Sequence, residues 1–218
     1  MLADEIIGLK KQLIEYAGLV EQMIDKSISG LLKKDTALLD EVTEKLEPMA
    51  NDTEIELEQK CTILIAKFQP AAKDLRIIMM TAQMNNDLER IGDFAVNIAE
   101  SALRLIGMPA VKPFIDLPIM AKMTIRMLKD AIDSFANENS ELAKSVCERD
   151  ENVDNLRDQI YRELITHMIS IPSTIAAALE IMKISTSLER VADLSTNFCE
   201  DVIFIVDGLI IKHHKDEI

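Results

Sequence analysis

The chain predicts an all-α fold of two tandem, similar three-helix bundles, and three observations carry that prediction. Glycine and proline number only six each in 218 residues, and the remainder is rich in Leu, Ile, Ala, Met, Glu and Lys, which favour helix over strand. Apolar residues recur with a 3.6-residue period through six long segments. A thirteen-residue stretch of the first half returns 100 positions later without a gap.

The first helix is amphipathic from its opening residues and runs to a break near Lys34-Asp35. The second extends from there to Gln69-Pro70. Pro70 opens the third, at the position where a missing N–H costs least, and this helix continues to the stretch from Gly107 to Pro118. That stretch gathers Gly107, Pro109, Pro113 and Pro118. It sets the boundary between a first domain, residues 1–108, and a second, residues 109–218. The fourth helix follows and ends near Asn137 to Ser140. The fifth runs to Ile171-Pro172, and Pro172 opens the sixth as Pro70 opens the third. Each half carries 12 basic and 19 acidic residues, the balance that a duplication would leave.

The repeat itself reads LERIGDFAVNIAE at residues 88–100 and LERVADLSTNFCE at 188–200, with six of thirteen positions identical. The apolar positions drift within a volume class, as core residues do, while Leu, Glu, Arg, Asp, Asn and the final Glu are fixed. On a helix, Glu89, Asp93, Asn97 and Glu100 share one face, and so do Glu189, Asp193, Asn197 and Glu200. The apolar row through Ile77, Met84, Leu88, Ile91, Ala95, Ile98, Ala102 and Leu105 lies opposite, so the carboxylates are expected to face outward, away from the core. Like charges four apart cost a helix about 0.2–0.5 kcal/mol, a cost that a cation would offset. Arg90 and Arg190 are candidates for that cation, which would leave a solvated acidic face. Two copies with the same polar residues point instead to a metal site.

A second acidic group lies on the middle helix of each half: Glu47 and Asn51 in the first, Asp150 and Asp154 in the second, again four apart. Adjacent helices of a bundle would bring these beside the repeated motif. Carboxylate and amide oxygens suit Mg, Mn, Ca or iron, whereas zinc or copper would normally bring His or Cys. His167 is isolated and reads as a packing or capping residue, and His213-His214 fall in a short terminal tail.

The net charge of −14 excludes nucleic-acid binding through a cationic surface. Cys61, Cys147 and Cys199 lie in apolar helical patterns without CxxC spacing, as reduced packing residues of a cytoplasmic protein do. No export signal opens the chain, and its most apolar run, Val202 to Ile211, is about half the roughly 20 residues a membrane span needs. Residues Phe198 to Ile211 are apolar nearly all round, leaving room for a homodimer contact besides burial in their own bundle. No nucleophile, base and oxyanion arrangement and no glycine-rich phosphate loop is visible, so no enzyme is expected.

Over essentially its whole length the sequence resembles the PhoU family of phosphate transport regulators. The resemblance rests on the paired LERIGDFAVNIAE and LERVADLSTNFCE, on QKCTILIAKFQPAAKDLR leading into the third helix, and on the opening LKKQLIEYAGLVEQMIDKSISGLLKKD. It implies two similar three-helix bundles and a multinuclear metal cluster at each E(D)xxxD motif, with iron first in order and Zn, Mn, Mg or Ni behind it. Carried over by position, the implied ligands are Glu89 and Asp93 with Glu47, and Glu189 and Asp193 with Asp150 and Asp154. Asn97 and Asn197 are motif positions as well. Departures occur in both halves: in the first, Pro48 interrupts the motif and Asn51 replaces a carboxylate, which bears on the ligand set itself. The second half has Ala192 and Leu194 where relatives have Gly and His. The second site therefore ranks above the first.

The function implied is that of a cytoplasmic, non-catalytic, metal-binding adaptor that negatively regulates phosphate transport and phosphate-starvation signalling. Its implied partners are a phosphate ABC transporter and a membrane sensor histidine kinase, with membrane contact only through them. Two other readings stand beside it: a carboxylate-bound iron or manganese enzyme, and a helical scaffold regulating another ion transporter.

Overall fold

A computed structural model describes residues 1–209. Helix α1 spans Leu2–Lys33, α2 Thr36–Glu41 and α3 Glu47–Phe68, with a π-helical turn at Val42–Leu46 joining the last two. Helix α4, Ala72–Ile106, completes the first half. The second comprises α5, Asp116–Ala136, α6, Ser140–Cys147, α7, Asp150–Ser170, and α8, Ile175–Asp207, the last entered through a 3₁₀ turn at Pro172–Thr174. These form the six rods expected, α2–α3 and α6–α7 each acting as one rod with a flaw, and no strand occurs among the described residues.

Chain breaks follow local chemistry. Helix α1 ends in a left-handed Lys34 (φ 55°), with Asp35 N–H donating to the Gly30 carbonyl at 2.9 Å. The Asp35 side chain then caps α2 by accepting from the N–H groups of Ala37 and Leu38 at 3.1 and 3.3 Å, the usual role of Asp at an N-cap. Asn139 does the same for α6, accepting from Leu142 N–H at 3.0 Å. Helix α4 begins two residues later than the sequence suggests: Pro70 and Ala71 lie outside it, because Gln69 is left-handed (φ 46°) and Ala71 extended. Pro172 does open the last rod, as the first residue of its 3₁₀ turn.

The rods pack as two three-membered bundles, α1 with α3 and α4, and α5 with α6, α7 and α8. The halves meet along α4 against α8, with α1 against α5 beside them, so one continuous core crosses the boundary. Ile184, Leu188 and Val191 on α8 are fully buried, as are Leu88, Ile91 and Ala95 on α4; each large apolar side chain buried in this way contributes about 1.5–3 kcal/mol.

The apolar end of α8 is covered by its own chain. Phe198, Val202, Ile203 and Ile205 are buried, and α8 packs on α4, α5, α6 and α7. The stripe that suggested a dimer contact thus belongs to the internal core, because a rod touched by four neighbours needs a wide apolar face. Ile210, Ile211, His213 and His214 lie outside the described residues.

Candidate functional site

Both middle rods are irregular directly before the first carboxylate of their acidic motif. In the first half the π turn ends with Glu47 N–H bonded to the Val42 carbonyl, which lets Pro48, with no N–H of its own, sit in the first turn of α3. In the second half the helix stops at Cys147 and begins again at Asp150. Asp150 thereby occupies a helix N-terminus, where a carboxylate is favoured by the helix dipole, whereas Glu47 follows the π turn within an unbroken rod.

In the second half, Asp150 and Asp154 on α7 face Glu189 and Asp193 on α8. Burial, followed by the charges of Asp193, Asp154 and Glu189, pushes the Asp150 carboxyl up to about 6. Burial and Asp193 likewise raise Glu189, against the pull of Arg190 and Arg157, and burial raises Asp193. The outward orientation expected of these groups does not hold here. Glu189 is only 6% exposed and the Asp193 side chain 34%, because α7 covers the face of α8 that would otherwise be solvated. Oδ1 of Asp150, Oδ1 of Asp154 and Oε2 of Glu189 are buried without a hydrogen-bond partner.

Two arginines answer this cluster. Arg190 Nη1 donates to Asp193 Oδ2 at 3.0 Å, and its Nε lies 3.5 Å from Glu189 Oε2. Arg157 Nη1 donates to Glu189 Oε1 at 2.8 Å, while its Nε and Nη2 hold Asp158 Oδ1 at 3.1 and 2.9 Å.

In the first half, Glu47 opens α3 beside α4. Burial, then Asp93 and Glu100, raises the Glu47 carboxyl; burial, then Asp93 and Glu54, raises Glu89. Asn51, Asp93 and Asn97 are exposed here, as the sequence suggested, and Asn197 is exposed in the second half. Asn97 lines an open groove of about 810 Å³ between α4 and α8, together with Arg104, Tyr161 and Glu180. Arg90 is half exposed and lies 3.9 Å from Asp87; its charge lowers Glu89, but burial, Asp93 and Glu54 outweigh it.

Orphaned carboxylate oxygens fit a hard cation in kind. A preformed cage is another matter: among the described residues no three Asp, Glu, His or Cys side chains are grouped to hold a metal ion. Glu54, Arg157 and Tyr16 escaped the sequence reading. The first two had a faint signal, since pairing Glu47 with Asp150 and Asn51 with Asp154 also pairs Glu54 with Arg157. Tyr16 had none, because only packing brings α1 to the acidic face.

Comparison with known proteins matches the PhoU domain family model twice, at residues 13–102 and 117–202. A phosphate-specific transport system accessory protein PhoU homolog of Aquifex aeolicus is 37% identical over 97% of this chain and 96% of its own. The Escherichia coli phosphate-specific transport system accessory protein PhoU is 31% identical, over 96% of this chain and 86% of its own. The crystal structure of PhoU from Pseudomonas aeruginosa superposes with a TM-score of 0.92 at 32% identity, covering 96% of this chain and all of that one.

Proposed function

The chain belongs to the PhoU family, and from that premise we propose that it is a regulator of phosphate transport acting as a non-catalytic helical adaptor. In this reading it works in the cytoplasm as a homodimer. It restrains a phosphate ABC transporter and a membrane sensor histidine kinase when phosphate is plentiful, so that its loss would release both uptake and starvation signalling. One observation carries the reading: the alignment to proteins named as phosphate-specific transport accessories runs over nearly the whole chain. Among the described residues no helix is long and apolar enough to cross a membrane, which agrees with a partner that reaches the membrane through other proteins.

The acidic clusters enter this reading as metal sites, with Glu47, Glu89 and Asp93 in one half and Asp150, Asp154, Glu189 and Asp193 in the other, Asn97 and Asn197 flanking. Iron is the first choice of metal. A bound cation would offer Lewis acidity and open positions for phosphate or for a carboxylate of a partner protein. The chain's own side chains would supply the oxygen donors, while Arg157 and Arg190 hold Glu189 and Asp193 in the absence of a cation. A net charge of −14 repels free phosphate, so an anion would need such a bridge.

The test is phosphate uptake and a starvation reporter in cells lacking the gene, complemented by wild type or by Glu189→Gln/Asp193→Asn, with metal content measured on the purified proteins. Derepressed uptake in the deletion, restored by wild type only, together with metal lost from the variant, is the expected result. Uptake and signalling untouched by the deletion would sink the proposal. The burial of Glu189 and the partnerless buried oxygens of Asp150 and Asp154 also favour a second reading, a carboxylate-bound iron or manganese enzyme, since metal catalysis uses partly dry sites. Turnover by metal-loaded protein that disappears in Asp193→Asn would establish it.

A further inference from the structure

The cysteines divide unevenly between the halves, and the two in the second half meet. Cys61 is buried on α3 of the first bundle. Cys147 ends α6 and Cys199 lies on α8, two helices that pack on each other. Their thiols are hydrogen-bonded to one another. Cys147 Sγ also stands 3.9 Å from the Thr196 carbonyl oxygen, within one turn of Cys199.

The repeat shows that neither position requires sulfur. The register that pairs Glu47 with Asp150 makes Glu44 the counterpart of Cys147, and the repeated motif makes Ala99 the counterpart of Cys199. Ala99 is fully buried, so a methyl group fills this place in the core as a thiol does, whereas Glu44 is exposed. Cysteine replaces these two unlike residues on separate helices, with the sulfurs in contact. Packing accounts for a single buried cysteine. It does not account for the pair.

Exposure is divided as well. Cys147 is partly exposed and Cys199 fully buried, the arrangement of an attackable thiol backed by a resolving one. Cys147 also sits at the break in its rod, where Glu148 and Arg149 form a turn before the helix restarts at Asp150. A chain at such a break can close the gap between a thiol contact and an S–S bond of about 2.05 Å, a movement that a helix interior would resist.

We infer that Cys147 and Cys199 form a peroxide-oxidisable dithiol whose disulfide fastens the α6–α7 junction to α8. The Cys147 sulfur attacks one oxygen of hydrogen peroxide, the O–O bond breaks, and the thiol proton leaves with the departing oxygen as water. Cys147 is then a sulfenic acid. The Cys199 sulfur attacks the Cys147 sulfur, the S–O bond breaks, and the Cys199 proton leaves with that oxygen as a second water. The two thiols lose two electrons and one peroxide is reduced. A dithiol reductant reverses the step by exchange, so in a reducing compartment the bridge is transient.

The test exposes full-length, reduced protein to hydrogen peroxide, alkylates the remaining thiols in denaturant and reads the intact mass. Free thiols should fall from three to one, with the bridge inside a single chain on non-reducing electrophoresis. Cys61→Ser should leave the bridge unchanged and Cys147→Ser should abolish it. In Cys199→Ala, which copies the first half and keeps the core filled, dimedone should instead trap Cys147 as the sulfenic acid. Oxidised wild type should melt about 5–10 °C above the reduced protein, a shift that dithiothreitol removes and that Cys147→Ser lacks.

Three free thiols remaining after a peroxide treatment that fully oxidises glutathione overturn the inference. So does a bridge to Cys61 or between chains, or a wild-type Cys147 that proceeds to the sulfinic acid without pairing. An oxidised protein that melts at or below the reduced one overturns it too, because the bridge would then strain the junction instead of fastening it.

Discussion

Asp150 shows how the fold stores repulsion that a single substitution can release. Its carboxyl is raised to about 6 by burial and three neighbouring carboxylates, against an ordinary value near 3.8. The folded state therefore holds the Asp150 proton more tightly than the unfolded chain does. Stability contributed in this way is present below about pH 4 and is lost as pH rises through about 6. Asp150→Asn should consequently stabilise chelator-treated protein at pH 7 by about 1–2 kcal/mol, a figure that allows for solvent screening. The gain should vanish near pH 4 in urea melts. A variant less stable than wild type at pH 7 in the absence of metal would show that Asp150 makes favourable contacts outweighing the repulsion. At this scale the sequence was informative where chemistry repeats: Glu189, Asp193, Asp150 and Asp154 could be picked from spacing. It was silent where proximity is tertiary. Nothing in the local pattern of Tyr16 separates a buried core tyrosine from one set beside carboxylates, and a lone Arg157 on a polar helix face reads as solvated until α8 is packed against it.

Helices show a similar division. Every break read from Pro, Gly and capping residues lies within two residues of its observed place, because those residues act locally. The π turn at Val42–Leu46 and the interruption before Asp150 were not legible, since neither contains a glycine, and only the first is followed by a proline. They depend on how the middle rod must bend to lay its acidic residues against α4 and α8. The turn after α1 is set by packing as well. A Cβ added at Gly30 would stand 2.5 Å from Leu39 Cδ2, 2.7 Å from its Cγ and 3.1 Å from the Asp35 carbonyl oxygen. Leu39 is fully buried and has nowhere to retreat. Gly30→Ala, which helix propensity alone would make stabilising by about 1 kcal/mol, should therefore lose a net ~1–2 kcal/mol through overpacking. A denaturation midpoint above that of wild type would mean that α2 shifts freely to admit the methyl group.

Across the whole molecule, acid acts in two opposing directions. Glu138, in the turn before α6, reaches across the boundary to Lys10 at 2.5 Å and Lys73 at 2.7 Å. These two lysines hold its carboxyl down at about 2. The tie is intact above about pH 4.5 and is lost as pH falls toward 2. Arg104 and Glu180 join α4 to α8 at 3.1 Å, and Glu180 is likewise lowered, despite burial, by its bonds to Lys183 and Arg104. The acidic clusters behave oppositely: Asp150, Glu47, Glu89, Glu189 and Asp193 are all raised. Asp150, at about 6, takes up its proton on the way down from neutral pH and so relieves repulsion before the ties between the halves are lost. Metal-free protein should accordingly be more stable in mild acid, with a melting temperature about 1–2 °C higher at pH 5.5 than at pH 7.5 and a decline below pH 4. A saturating hard cation competes with those same protons, so it should raise the pH 7.5 value most and flatten the upper limb. Glu138→Gln should instead lower the plateau and remove part of the acid decline, leaving the cation response intact. A melting temperature that falls steadily from pH 7.5 to 5.5 without metal would mean that the arginines already neutralise both clusters, leaving no electrostatic drive for a cation to enter.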